Sequence, residues 1–70
     1  MNEDAEVKVL TTDEAAAFLR ISPYTLEQWR SRSKGPPYSK IGRNVVYLQA
    51  DLLSWLYQNR KVPQPQPQEV

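Results

Sequence analysis

The sequence predicts an α+β fold that is mostly helical, on three observations. Two capped segments with apolar faces, residues 12–19 and 23–32, are separated by only three residues. A pair of short segments rich in β-branched and aromatic residues, 38–41 and 45–48, flanks Gly42-Arg43-Asn44. A third amphipathic segment follows at 50–59. Seventy residues suit one small domain, with a core too small to tolerate many buried polar groups.

Residues 1–9 read as a flexible or extended lead-in, and Val7, Val9 and Leu10 form a short extended stretch that brings Leu10, the first residue of the domain, to the core. Thr11 can cap the first helix through its hydroxyl while Glu14 reaches back to the amide of the cap, so a start near residue 12 is expected. Ala15, Ala16, Phe18 and Leu19 line one side of this helix, and Ala16 is small enough for a second helix to cross closely. Ser22 is a good N-cap, and Pro23 suits the first position of the second helix, where its missing N–H costs nothing. Ile21 and Leu26 form a hydrophobic staple across that start, and Trp29 adds to the same apolar side.

Ser33-Lys34-Gly35-Pro36-Pro37 ends the second helix, Gly35 being suited to a residue past a helix end. Next comes a β-hairpin, two strands around a turn in which Gly42 and Asn44 tolerate positive φ. In helix three, Asp51 sits near the positive end and Arg60 and Lys61 just past the negative end, as the macrodipole favours. Its Leu52, Trp55 and Leu56 form one stripe expected to close the core. Residues 61–70 alternate Pro and Gln with little to bury, and read as a disordered, polyproline-like tail.

Two helices joined by so short a turn form a helix-turn-helix unit, although spacing alone also fits a plain αα-corner. Charge favours the first, the alternative being a merely solvated charged face. The formal net charge of +1 divides into −4 over residues 1–19, +5 over residues 20–50 and zero over residues 51–70. Cations clustered on the second helix and the hairpin are the footprint of a polyanion partner, and Lys40, Arg43 and Asn44 at the hairpin tip would face a phosphate backbone or minor groove.

The chain has no Cys and no His. That excludes disulfides, Cys/His metal sites and histidine acid–base chemistry, so no enzyme, no catalytic residue, no metal and no cofactor is expected. The acidic N-terminus lacks an apolar signal core and no apolar run approaches a membrane span, which predicts a cytoplasmic protein with no membrane partner; nucleoid association is expected from a polyanion-binding role, and no small-molecule partner is expected.

In its order of motifs, LTTDEAAAFL, the Ile21-Ser22 pair, KGPPYSKIGRNVVY and DLLSWL, the chain resembles the MerR-like winged helix-turn-helix domains of phage and mobile-element excisionases and AlpA-type regulators. The resemblance covers about residues 10–58 and places the domain at 10–60. It implies three short helices plus a two-stranded β-hairpin wing, with helix two as recognition helix. Pro23, Tyr24, Thr25 and Gln28 then face the groove, and Arg30 and Arg32 lie near phosphates, with Arg20 and Lys34 as further phosphate candidates. Arg20 departs from the Gly that such domains often carry at the corner, which puts the backbone of that turn in question. Glu27 would repel phosphate and is expected to pair with Arg30 or to accept from a cytosine amine.

Three functions are compatible with this reading. The preferred one is an excision-directing factor that binds and bends duplex DNA beside an attachment site, because a bare domain suits an architectural role. A small AlpA-type transcriptional regulator and a protein-binding adaptor are the alternatives. Partners would be double-stranded DNA, an integrase, and further copies of the chain on tandem sites, meeting through Val46 and Leu48 if these face outward while Val45 and Tyr47 pack inward.

Overall fold

The computed structural model describes residues 7–63. Strand β1 (Val9–Thr11) leads directly into helix α1 (Thr12–Leu19). Helix α2 (Pro23–Ser31), strand β2 (Ser39–Ile41), strand β3 (Asn44–Leu48) and helix α3 (Gln49–Gln58) follow. The expected fraying of residues 1–6 and the form of the tail from residue 64 onward lie outside the described residues.

The first helix starts as its sequence dictates. The Glu14 amide donates to Thr11 Oγ1 at 3.1 Å and the Thr11 amide donates to Glu14 Oε1 at 2.9 Å, which closes the capping box. At the start of α2 the Thr25 amide donates to Ser22 Oγ at 3.2 Å. Both helices end alike. Arg20 stands in the left-handed region at φ 64°, where its amide reaches the Ala17 carbonyl at 3.1 Å and that of Ile21 the Ala16 carbonyl at 2.9 Å. Ser33, at φ 55°, repeats the pattern: its own amide donates to the Arg30 carbonyl at 3.1 Å and that of Lys34 to the Trp29 carbonyl at 2.9 Å. These are Schellman motifs built without glycine. The corner therefore keeps the conformation a glycine would adopt, with Arg20 bearing the strain.

Gly35 is not the residue that ends α2. It lies two positions further on at φ +92°, where an added Cβ would sit 2.9 Å from Cε3 of Trp29. A side chain there has no room. Pro36, next in the chain, is buried.

The sheet has three strands in the order β1-β3-β2, both pairs antiparallel, where a two-stranded hairpin is expected from the sequence. The lead-in is thus an edge strand, pairing Val9 with Leu48, Leu10 with Tyr47 and Thr11 with Val46. The Gln49 amide continues this ladder by donating to the Lys8 carbonyl at 3.0 Å, so α3 begins without a side-chain cap. In the wing Ile41 pairs with Asn44, which leaves Gly42 and Arg43 as a two-residue turn. Only Gly42, at φ +63°, uses positive φ; Asn44 belongs to the strand.

Ala15, Ala16, Leu26, Tyr47 and Leu52 form the buried core, with Leu10, Leu19, Ile21, Trp29 and Val45 packed on it. Trp29 and Trp55 meet with ring centroids 5.4 Å apart, so α2 and α3 touch through their indoles. Two expected core residues lie outside it. Phe18 and Leu56 are exposed, because each falls about 100° or less to one side of the buried stripe of its helix, where the neighbouring element does not reach.

Candidate nucleic-acid interface

Helix α2 is held by Leu26, fully buried, and by Trp29, half-buried. Successive residues turn by about 100°, so Tyr24 and Gln28 each point within about 20° of the direction opposite Leu26. Tyr24 is exposed and Gln28 half-exposed. Together they form the outward ridge; Pro23, expected to face the groove, is exposed at the start of α2 but lies about 60° from Leu26 and so off that ridge.

The ridge has two unlike flanks. On one side Glu27 and Ser31 border an open cleft whose other walls are Arg30, Tyr38, Lys40, Arg43 and Val45. The wing stands on this side, and Lys40 is registered opposite Val45, on the face of the sheet turned toward α2. Thr25 and Arg32 lie on the other flank. Thr25 is half-buried and its hydroxyl lies 3.3 Å from Ser22 Oγ, so part of its bonding capacity goes to the helix start.

The cleft brings Glu27, Arg30 and Ser31 of α2 together with Lys40 and Arg43 of the wing, while Tyr24 and Gln28 point away from Leu26 on the adjoining ridge and do not line it; Asn44 lies at the base of the turn. Arg20, Arg32 and Lys34 are exposed. Arg30 differs from these. Its Nη1 donates to Tyr47 Oη at 2.9 Å and to Thr12 Oγ1 at 3.3 Å, and its guanidinium carbon lies 5.6 Å from the Tyr38 ring centroid. It is half-buried and turned into the fold. Those bonds go to Thr12 and Tyr47, where pairing with Glu27 is an expectation from sequence, and Glu27 remains exposed across the cleft.

Two residues of this surface are absent from the sequence expectations. Ser31 lies three residues after Gln28 and four after Glu27, so helical spacing marks it as outward-facing. Tyr38, read from the sequence only as the start of a hairpin strand, lies just before β2 and lines the cleft. Among the described residues no group of His, Cys, Asp and Glu could hold a metal ion, and no helix is long and apolar enough to cross a membrane.

A short-cornered helix pair with an outward α2 ridge and a cationic hairpin beside it defines a winged helix-turn-helix. A family model described as a helix-turn-helix domain matches residues 9–60, and the chain belongs to that family of small excisionase and AlpA-type DNA-binding domains. No curated protein sequence matches the chain. DNA is the partner that the domain indicates.

Proposed function

We propose that the chain binds duplex DNA with sequence preference, placing α2 in the major groove and the wing on the adjacent backbone, and that it serves as an excision-directing factor of a mobile element. The observation that carries this reading is the outward ridge of exposed Tyr24 and half-exposed Gln28 on α2, flanked by a cleft that α2 shares with Lys40 and Arg43 of the wing. Gln28 can bond bidentately to adenine N6 and N7, and Tyr24 can offer its ring to a thymine methyl or its hydroxyl to a phosphate. The proposed role is binding, not an enzyme's. A helix and a wing gripping the duplex at two places favour sites that deform readily, which suits a protein that bends DNA for an integrase.

Arg20, Arg32, Lys34, Lys40 and Arg43 are the exposed cations of the basic segment. If about four or five of them reach phosphates, log K against log salt has a slope of about −4. A slope near zero for every duplex tested refutes DNA binding. The finer assignment is tested by recombination: with the integrase of the same element, added protein should stimulate excision of a plasmid substrate. Unchanged excision with altered output from a nearby promoter supports the regulator reading instead, which the same surface would serve.

A further inference from the structure

We infer that Arg30 is a positioning residue that locks α2 to the wing, so that the spacing between recognition helix and hairpin depends on a side chain that does not itself take a phosphate. The inference rests on the DNA-binding reading of α2 and the wing, and deepens it. Arg30 grows from α2 about 40° from Leu26 around the helix, so its stem runs inward before its head turns toward the sheet.

One guanidinium then joins four parts of the fold. It starts on α2, donates to Tyr47 Oη in the central strand at 2.9 Å and to Thr12 Oγ1 at the start of α1 at 3.3 Å, and lies over the ring of Tyr38 on the segment that enters β2. The Tyr38 and Tyr47 rings are themselves 6.1 Å apart. The remaining contacts of α2 with the body, through Leu26 and Trp29, are apolar and non-directional. A planar guanidinium held at one nitrogen by two acceptors and laid over the Tyr38 ring supplies the direction they lack. Tyr47 is only 1% exposed, so its hydroxyl cannot touch DNA. Any effect of that hydroxyl on DNA recognition must pass through Arg30.

This gives a test that separates positioning from phosphate contact. The full chain and its Tyr47→Phe, Arg30→Met, Arg30→Lys and Arg43→Ala variants are compared on a duplex selected by the unaltered protein from a randomised library and on random duplex. Loss of a hydrogen bond to a charged group should lower the preference for the selected duplex about tenfold in both Tyr47→Phe and Arg30→Met, with the salt slope unchanged. Arg43→Ala, as the phosphate control, should lower the slope by about 0.9 and leave the preference intact. Arg30→Lys, which keeps charge but lacks the planar head that lies over Tyr38, should not restore preference. Amide exchange of Ser39–Leu48 and of the second half of α2 should quicken in Tyr47→Phe and Arg30→Met.

The inference is overturned if Arg30→Met reduces the slope while Tyr47→Phe behaves as the unaltered protein, since Arg30 is then a phosphate ligand. Unchanged preference and unchanged exchange in both variants overturn it as well. Should the unaltered protein bind no duplex, the DNA reading falls, and exchange alone then decides whether Arg30 couples α2 to the hairpin. Tyr47→Phe carries the test if Arg30→Met does not fold.

Discussion

Arg20 holds a left-handed conformation that costs a residue with a side chain about 1–2 kcal/mol. Glycine would relieve this strain but gains freedom in the unfolded chain, so Arg20→Gly should leave the melting temperature equal or slightly raised. The same variant should weaken binding to all duplexes alike, the signature of a lost phosphate contact; a lower melting temperature with unchanged affinity would show that Arg20 is there for the fold. Gly35 gives the opposite case. In Gly35→Ala the new Cβ meets Trp29 at 2.9 Å with φ at +92°, so a loss of at least about 2 kcal/mol is expected in urea denaturation. Gly42→Asn, at an open position in the left-handed region, should cost less than about 1 kcal/mol. The sequence marks both glycines as punctuation. It does not tell them apart, because the wall at Gly35 is the Trp29 ring, placed there by the turn after α2.

Elements fixed by near neighbours are legible in the chain. Helix α1 begins at Thr12 and α2 at Pro23 as their caps dictate, since Thr11 with Glu14 and Ser22 with Thr25 bond within three residues. Strand β1 is not legible as a strand, because three residues carry no period and their pairing with β3 spans more than thirty positions. The start of α3 is one residue earlier than its sequence suggests for the same reason: the Lys8 carbonyl, far away in the chain, caps it. The candidate interface divides in the same manner. Tyr24 and Gln28 follow from helical spacing, as does the inward start of the Arg30 stem, whereas the bonding of its head follows only from where Thr12, Tyr47 and Tyr38 come to rest. At this scale the recognition helix and the wing should separate in their effects. Gln28→Ala should cost about 1–3 kcal/mol at the preferred site and little on random duplex, while Arg43→Ala should weaken both similarly in titrations of the two. If Arg43→Ala alters preference alone, the wing reads bases and not backbone.

For the molecule as a whole, size sets the remaining question. One such module covers about 600–1,000 Å² on DNA, which gives weak specific binding unless a second protein adds contacts. Copies on tandem sites are one proposed source, and the structure redraws where they would meet. Val46 lies mid-sheet, half-buried between Thr11 and Ser39 in register, so a charge there would disturb the sheet itself. Leu48 is exposed beside Val9, and it lines a shallow hollow with Val7 and Leu53. This apolar strip combines the edge of β1 with the outer side of α3, whereas the proposed DNA surface lies on α2 and the wing. Contact through it would be head to tail or two-fold according to what it meets on the next copy, and only the former lets a short filament grow along tandem sites. Leu48→Lys should therefore leave affinity for a single site unchanged and abolish cooperativity on three tandem sites in gel shifts. Independent filling of the three sites by the unaltered protein would remove self-association from the proposal and leave the integrase as the source of the missing contacts.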